Sequence, residues 1–333
     1  MIVGGIRLDE EISFDEIDKK VAYINANKHN YDDVIRELNS LIDLDYIKAS
    51  EFIEGNTLNC IEEFDMDENP KVLRAFPSFI SDLPKDRLEL EAFIKNMRYD
   101  SDKTSLVILK KANPEDLEFK SYCCEMPKHL PALEMALSQA RFDRKVQQSG
   151  RHMPDVTKKF IEEINGRFFE KTEHKDEPGY GTFRSLMFIN GDWRVVPNVE
   201  VGGANWKPCD SVNVPGEMMK LLDFYNNSNL HPILKAIIFK TRFIQIHPFR
   251  DGNGRTSRIL LNYMLVRYGY PTITITGNEK YVYLNAMQKA ISEGNYTELL
   301  KMVVKHLNER CDKYIQIINE EKELREKEEQ EIE

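Results

Sequence analysis

The sequence has 333 residues, of which 41% are hydrophobic and 31% charged, with a formal net charge of −10 at pH 7. This is the composition of a globular protein, and its acidic balance argues against general binding to nucleic acids or to anionic membranes. No run approaches the roughly 20 apolar residues of a membrane-spanning helix. The opening stretch, Met1–Arg7, lacks the basic and then apolar pattern of a signal peptide. Five cysteines without a C-x-x-C pair indicate reduced packing thiols. We therefore expect a cytoplasmic protein without a nucleic-acid partner or a membrane segment.

Apolar residues at helical spacing recur along most of the chain and predict a mainly α fold. The first two such patterns are formed by Phe14, Ile17, Val21 and Ile24, and by Ile35, Leu38, Leu41 and Ile42. We interpret them as an N-terminal helical unit over residues 1–60. The following segment, 61–125, mixes proline-rich and apolar runs, and we treat it as an insertion of unknown role. The helical pattern then becomes dense, which predicts a core domain over residues 126–312. A charged tail over 313–333 predicts a solvated helix extension or a disordered end.

One stretch, Gly179–Val196, has the character of β-structure. Its two apolar runs are separated by Asn190-Gly191, which is a strong signal for a tight β-hairpin turn. We therefore expect a single β-hairpin among the helices.

The residues with the clearest chemical meaning are concentrated in Ile246–Ile259, which reads I-H-P-F-R-D-G-N-G-R-T-S-R-I. This stretch brings together an imidazole, a carboxylate, a glycine-rich turn and two guanidiniums, contributed by His247, Asp251, Gly252, Asn253, Gly254, Arg255 and Arg258. The apolar run that follows predicts a helix, so the turn lies at a helix N-terminus, where backbone N–H groups and the helix dipole favour anions. The two arginines add bidentate phosphate donors, and a carboxylate beside a polyphosphate commonly holds Mg²⁺. The plain alternative is a glycine turn between two helices, with solvated charges.

This stretch resembles the Fic motif, H-x-F-x-[DE]-G-N-G-R-x-x-R, at every defined position. It is not a Walker P-loop, because no lysine stands where that motif requires one. The resemblance extends more weakly over residues 125–310. It implies a Fic-type helical bundle with one β-hairpin flap, joined here to an N-terminal helical region. Fic proteins mostly transfer AMP from ATP to a hydroxyl group of a protein.

The residue types in the motif then indicate a mechanism. The amides of Gly252–Gly254 would hold the α- and β-phosphates of ATP, Asp251 would hold Mg²⁺, and Arg255 would contact phosphate oxygens. His247 would accept the proton of an incoming Ser, Thr or Tyr hydroxyl, which attacks the α-phosphorus as pyrophosphate leaves. An imidazole suits this task because its ordinary pKa lies near the working pH.

A second segment, A-S-E-F-I-E-G-N-T-L at residues 49–58, is similar to the inhibitory helix S-x-x-x-E-[GN] of Fic proteins that restrain themselves. Ser50 and Glu54 would share one face of a helix. The resemblance implies that Glu54 pairs with Arg258, occupies the position of the γ-phosphate and holds ATP in an unproductive pose. An ordinary surface helix end is the alternative from spacing alone. Glu54 lies farther from the motif than is expected for such proteins, and Glu125 is a weaker rival.

The resemblance also implies a flap near Gly202–Pro208 that binds the protein target through backbone hydrogen bonds, preceded by a segment, Gly179–Val196, that Arg184 anchors. Such pairing makes little demand on the target's sequence. Tyr283, in the helix after the motif, would stack on the adenine, with Tyr281 and plain core packing as the alternatives. Self-modification is expected, and the oligomeric state is left open, with a homo-oligomer as one alternative.

Four other functions remain compatible with the sequence. The same site could remove AMP, with Glu54 orienting a water molecule, or it could transfer another group such as UMP or phosphocholine. Transfer of phosphate is disfavoured, because the related enzymes usually carry lysine where Gly254 stands. In a different class, the chain could be an inactive nucleotide-sensing module for interactions.

Overall fold

The computed structural model describes residues 2–3, 5–27, 39, 46–47, 49–50, 53, 117–170, 172–189 and 192–332. Eight α-helices have defined bounds: α1 (Asp15–Asn27), α2 (Leu117–Gln148), α3 (Lys158–Arg167), α4 (Val214–Asn227), α5 (Pro232–Ile246), α6 (Asn253–Arg267), α7 (Lys280–Glu293) and α8 (Thr297–Ile332). The strands within the described residues are β1 (Ile2–Val3), β2 (Ile6–Arg7), β3 (Leu186–Ile189) and β4 (Asp192–Val195). The prediction of a mainly α fold is confirmed. The second N-terminal helical pattern, Glu54 and the proposed insertion as far as residue 116 lie outside the described residues.

Helices α5 and α6 form the centre of the core. Most residues of both helices are buried, which is typical of a helix surrounded by others. Helix α6 packs against α2, α3 and α5, and α5 packs in turn against α4. His231 caps the N-terminus of α5 by accepting a hydrogen bond from the Ile233 amide, and Pro232 stands in the first turn, where its missing N–H costs nothing. The short loop between α5 and α6 carries the motif.

The predicted β-hairpin is present between α3 and α4. Its strands β3 and β4 are antiparallel, with Leu186 opposite Val195 and Ile189 opposite Asp192. This pairing leaves two residues for the connection, as the Asn190-Gly191 signal requires, although those two residues lie outside the described part of the chain. The segment just before the hairpin contacts the motif loop, since the Arg184 amide donates to the Pro248 carbonyl at 2.7 Å and the Arg250 amide to the Gly179 carbonyl at 2.8 Å.

A second hairpin, β1–β2, was not expected from the sequence. Each of its strands has two residues, which is too short for an alternating pattern to be recognised. The hairpin is held instead by hydrogen bonds to residues far along the chain. The Arg7 amide donates to the Gly294 carbonyl at 2.8 Å, and the Tyr296 amide donates to the Arg7 carbonyl at 3.0 Å. The start of the chain therefore lies against the connection between α7 and α8.

Helix α1 docks on the C-terminal part of the core. Its predicted apolar face is confirmed, since Ile17, Val21 and Ile24 are buried, and it packs against α8. Asp18 adds a polar contact by accepting a hydrogen bond from the Tyr270 hydroxyl at 2.6 Å, beside the His231 ring at 3.2 Å.

Helix α8 continues without a break through the proposed boundary at residue 313. Tyr314 and Ile318 are buried, so the first turns of the predicted tail belong to the packed part of the helix. From residue 322 to residue 327 the side chains are exposed, as a solvated extension requires.

None of the helices that the structure describes is both long enough and apolar enough to cross a membrane.

Candidate active site

His247 occupies the C-terminal end of α5 in a left-handed conformation, with φ 55° and ψ 60°. Among the described residues it is the only one other than glycine with a positive φ, a conformation that costs an L-residue roughly 1–2 kcal/mol. Its Nδ1 lies 3.3 Å from the Ile244 carbonyl oxygen. Because a carbonyl can only accept, this contact assigns the proton of the neutral ring to Nδ1 and the acceptor role to Nε2. The ring is therefore arranged to accept a proton at Nε2.

The motif loop is closed by the side chain of Asn253. Its Oδ1 accepts from the Phe249 amide and its Nδ2 donates to the Phe249 carbonyl, each at 2.9 Å. Phe249 itself is fully buried beneath the loop. The sequence suggested Asn253 as a phosphate-binding residue. The structure turns its side chain into the loop, so only its backbone N–H can serve a phosphate.

Position 252 requires glycine, because its backbone is left-handed and because neighbouring side chains leave no room for a Cβ. It adopts φ 74° at the N-cap of α6, and a Cβ there would lie 2.8 Å from Asn165 Nδ2 and 3.2 Å from Phe168. The following amides at the start of α6 have no acceptor within the helix, because the first turn of any helix leaves its N–H groups without partners. These amides and the helix dipole favour an anion at the place where the sequence predicts one.

Asn165, which no sequence pattern singled out, holds this site from behind. It is fully buried. Its Nδ2 donates to the Asp251 carbonyl at 3.0 Å and to Thr256 Oγ1 at 3.2 Å, and its Oδ1 accepts from the Gly181 amide at 2.8 Å. One side chain on α3 thus connects the motif loop, the first turn of α6 and the segment before the hairpin.

Asp251 presents its carboxylate at the open side of the loop, where the side chain is 59% exposed. Oδ1 accepts from the Gly252 amide at 2.5 Å and Oδ2 lies 3.6 Å from Arg255. Mg²⁺ is usually bound by one or two carboxylates together with substrate phosphates and water. A single accessible carboxylate beside an anion site fits that mode of binding. No cluster of three acidic, histidine or cysteine ligands occurs in the described residues.

The two motif arginines lie one turn apart on α6, and both are about 95% buried. The Arg255 guanidinium stands over the Phe168 ring at 4.8 Å, which holds it flat. Arg258 donates from Nε to Ser50 Oγ at 2.8 Å and from NH2 to the Ser50 carbonyl at 3.0 Å. The structure therefore brings the predicted regulatory residue Ser50 to the second motif arginine across 208 positions of sequence.

Arg184 is fully buried beneath the loop and holds its main chain. Its guanidinium donates from Nε to the His247 carbonyl at 2.9 Å, and its backbone amide donates to the Pro248 carbonyl at 2.7 Å. The same guanidinium reaches Ser211 Oγ and the Cys209 carbonyl, each at 2.9 Å. Loss of solvation lowers the pKa of Arg184 from its ordinary value, although an arginine remains charged at any pH at which proteins are studied.

The predicted flap, Gly202–Pro208, lies beside His247. The Trp206 and His247 ring centroids are 6.4 Å apart. A Cβ added at Gly202 or at Gly203 would meet nothing within 4 Å, so this end of the flap is open. The residues that flank the flap are joined by a hydrogen bond, in which Asn198 Oδ1 accepts from the Ser211 amide at 2.8 Å.

A polar cluster at the outer edge of the motif loop was also missed. Arg250 Nη1 lies 3.1 Å from Glu177, and its guanidinium stands over the Tyr180 ring at 5.0 Å. His174 stacks on Tyr180 at 4.6 Å and hydrogen bonds to Glu177 at 2.9 Å. This hydrogen bond is the chief reason that the pKa of Glu177 falls below its ordinary value.

The two candidate adenine contacts are placed differently. Tyr283 is 97% buried in α7, and its hydroxyl accepts from the buried Lys240 Nζ, whose charge also stands over its ring at 4.6 Å. That environment is core packing. Tyr281, two residues earlier, is 78% exposed. An adenine contact by Tyr283 stays a prediction and would require the ring to leave its present packing.

Comparison with known proteins agrees with the motif. Residues 155–265 match the sequence model described as the Fic/DOC family. The chain is similar to the protein adenylyltransferase Fic of Drosophila yakuba, with 30% identity over 162 residues, covering 48% of this chain and 30% of that protein. The protein of the same name from Drosophila willistoni is 33% identical over 108 residues, which cover 30% of this chain and 22% of that protein. The chain thus spans less than a third of the length of these curated relatives.

Among solved structures, the fold is similar to the crystal structure of a Fic domain containing signaling protein from Bacteroides thetaiotaomicron. The TM-score is 0.57 at 22% identity, and the match covers 92% of this chain and 97% of that chain. At this level of identity the likeness concerns the fold alone.

Proposed function

We propose that this chain, which carries a Fic domain at residues 155–265, is a protein adenylyltransferase that moves AMP from ATP to a serine, threonine or tyrosine hydroxyl of a protein. Its similarity over 162 residues to proteins named protein adenylyltransferase supports a transferase. The domain holds α3, the hairpin, α4, α5 and most of α6, which together carry the motif and its supports.

One observation carries the proposal: a proton-accepting imidazole and an anion site are the two ends of one short loop. His247 ends α5 in the tautomer that carries its lone pair on Nε2, and the amides that begin α6 follow Gly252. The side chain of Asn253 fixes the loop between them. A base held beside a phosphate site is the minimum arrangement for transfer of a phosphorus group to a hydroxyl.

In the proposed reaction the phosphates of ATP lie on the amides at the start of α6, with Arg255 on their oxygens. The target hydroxyl gives its proton to Nε2 of His247 while its oxygen attacks the α-phosphorus. The new bond joins that oxygen to AMP, the bond to the β-phosphate oxygen breaks, and pyrophosphate departs with its electron pair. Mg²⁺, when bound at Asp251 and the phosphates, neutralises the charge of the polyphosphate. Tight positioning by buried groups is expected to provide most of the acceleration.

We further propose that the segment around Ser50 restrains the enzyme. The two hydrogen bonds from Arg258 to Ser50 support this, because they direct a phosphate-binding guanidinium towards the N-terminal unit. Glu54, four positions further along the sequence, is the proposed inhibitory carboxylate. A bidentate pair between Glu54 and Arg258 would remove the cation that a γ-phosphate needs.

The flap near Trp206 is the proposed binding surface for the protein target, because it borders His247 and is open at Gly202 and Gly203. The free thiols of Cys209 and Cys311 support the proposed cytoplasmic location. Burial raises the pKa of Cys311 to about 12, which fits a packing thiol without a chemical role.

The test is self-labelling of the full chain with α-³²P-ATP and Mg²⁺. Wild type, Glu54→Gly, His247→Ala and His152→Ala are compared, the last as a matched control because His152 is exposed and lies outside the motif. We expect weak label on the wild type and strong label on Glu54→Gly. In the Glu54→Gly background, His247→Ala should lower the rate by at least ~10²-fold, since a general base is typically worth ~10²–10⁴. His152→Ala should leave it unchanged.

The outcomes separate the proposals. Retention of most of the rate in His247→Ala would refute the role of the histidine. Equal weak labelling of wild type and Glu54→Gly would refute Glu54 as the brake and direct the next substitution to Glu125. Label from γ-³²P-ATP but not from α-³²P-ATP would identify phosphate transfer instead. Release of AMP from a labelled chain by wild type, but not by Glu54→Gly, would establish the reverse reaction.

A further inference from the structure

Arg184 donates hydrogen bonds to three consecutive backbone carbonyls, at the catalytic histidine and the residues on either side of it. Its NH2 group donates to the Ile246 carbonyl at 3.3 Å, its Nε to the His247 carbonyl at 2.9 Å, and its backbone amide to the Pro248 carbonyl at 2.7 Å. The last carbonyls of a helix have no partner within it, and a cation is favourable at that end. The Arg184 side chain therefore satisfies the free carbonyls at the C-terminal end of α5.

The other side of the same guanidinium holds the segment that follows the flap. NH1 donates to Ser211 Oγ and NH2 donates to the Cys209 carbonyl, each at 2.9 Å. Cys209 comes directly after the flap, Gly202–Pro208. The histidine backbone and the end of the flap are consequently fixed to one planar group, whose donors keep a constant geometry relative to one another.

The environment of Arg184 is unusual for a residue that only fills the core. Its side chain is fully buried, and within the described residues it forms no ion pair and is held by carbonyl groups and one hydroxyl. The Asp210 carboxylate attracts it only from a longer distance, and burying a charge without a direct ion pair is costly. The residue that it holds, His247, has a positive φ. A strained backbone of this kind persists only where its surroundings hold it in place.

From this geometry we propose that Arg184 is the positioning residue of the reaction, which sets the direction of the His247 imidazole relative to the flap and therefore to the target hydroxyl. This inference rests on the proposed function, in which the flap presents that hydroxyl and His247 removes its proton. Arg184 does not touch the nucleotide in this scheme, so its substitution should slow the chemical step and leave binding of ATP intact.

The test compares Arg184→Lys and Arg184→Gln in the Glu54→Gly background of the full chain. Lysine keeps the charge but loses the planar fork, whereas glutamine loses the charge and keeps one amide donor. Because a misplacement of about 1 Å can cost ~10²-fold, both variants should lower the rate of self-labelling at saturating ATP by about that factor. The apparent KM for ATP should stay within roughly threefold, as expected when only transition-state geometry is lost.

Two further variants separate positioning from stability. Arg267→Lys, at the opposite end of α6, changes an arginine that is also almost fully buried. It should lower the thermal midpoint without changing the rate per folded molecule. Ser211→Ala removes the contact from NH1 and the weaker hydrogen bond from Ser211 Oγ to the Pro197 carbonyl at 3.3 Å, and it should produce a smaller loss of rate than either Arg184 variant. It also keeps the inference testable if the Arg184 variants fold poorly.

A second readout does not depend on activity. In protein labelled with ¹³C-histidine, the backbone shifts of His247, identified by their loss in His247→Gln, report its left-handed conformation. They should move in Arg184→Lys and remain unchanged in Arg267→Lys.

Unchanged His247 shifts, a full rate in folded Arg184→Lys, or a KM for ATP that rises in step with the loss of rate would each overturn the inference. If the wild-type and Glu54→Gly proteins transfer no AMP at all, the proposed function fails. The shifts of His247 then decide by themselves whether Arg184 positions that residue.

Discussion

Replacement of Gly252 by alanine is the sharpest test of the proposed anion site, because the structure supplies two matched glycines. Gly252 and Gly203 both adopt φ 74°. The added methyl group at Gly252 would meet Asn165 at 2.8 Å, whereas at Gly203 it would meet nothing within 4 Å. Gly216 lies in α4 with ordinary φ and an equally open surrounding. The three substitutions therefore separate backbone conformation from steric overlap.

The expected magnitudes follow from these differences. A left-handed alanine costs roughly 1–2 kcal/mol, partly offset by about 0.4–1 kcal/mol from the stiffer unfolded chain. Gly203→Ala should therefore lower the free energy of unfolding by about 1 kcal/mol. Asn165 is fully buried and held by three hydrogen bonds, so it cannot move aside, and overpacking of a rigid site adds about 1–3 kcal/mol. Gly252→Ala should lose about 2–4 kcal/mol in total, and Gly216→Ala should gain about 0.5 kcal/mol.

The assay is urea unfolding followed by circular dichroism, combined with self-labelling of the folded variants. Gly252→Ala should also lower the labelling rate by at least ~10-fold, because a tilted first turn misdirects the amides that hold the phosphates, while Gly216→Ala should leave the rate unchanged. The reasoning is refuted if Gly252→Ala is no less stable than Gly203→Ala, or if it folds normally and labels at the full rate.

Three further perturbations follow from buried or paired side chains. Asn165→Asp places a carboxyl group in a fully buried position. Burial raises the pKa of this carboxyl in the folded protein above its unfolded value, so the free energy of unfolding should fall as the pH rises through the folded pKa. Equal urea midpoints at pH 5 and pH 7.5 would contradict this. Asp143→Asn breaks a buried ion pair with Arg267 at 3.0 Å and should cost about 3–5 kcal/mol, a value that urea unfolding can reject if the loss is small. His174→Ala removes the main cause of the low pKa of Glu177. The Glu177 carboxyl should then titrate at higher pH in ¹³C NMR. As the pH falls, the stability that the ionised carboxylate contributes should be lost at a higher pH than in the wild type. An unmoved titration curve would count against the assignment.

The sequence was sufficient wherever a residue's partners lie within a few positions of it. The spacing of Ile17, Val21 and Ile24 predicted the buried face of α1, and Asn190-Gly191 predicted the hairpin. The motif was recognisable because its chemistry is contained in one loop. Short-range geometry, set by helix and turn dihedrals, is encoded locally and can be read locally.

The supports of the site could not be predicted in this way. Asn165 bonds to the Asp251 carbonyl across 86 positions, and Ser50 bonds to Arg258 across 208. No spacing rule connects residues so far apart, because their proximity is a result of helix packing. The same packing decides the burial of Tyr283, whose proposed adenine contact rested on family spacing while its partner, Lys240, lies on α5.

The contact between the start of the chain and the α7–α8 connection has a consequence for the order of folding. Asp9 bonds to Thr297 across 288 positions, and Lys20 of α1 pairs with Asp312 of α8 at 2.7 Å. A ribosome that adds about 5–20 residues per second leaves α1 waiting roughly 15–55 s before α8 begins to emerge. Helices α5 and α6 are complete before then, so the motif loop can form while α1 still lacks its surface. Helix α1 can therefore complete its docking only after α8 has been made. A newly made molecule would pass through a stage in which the motif loop is assembled and α1 has not yet docked on α8.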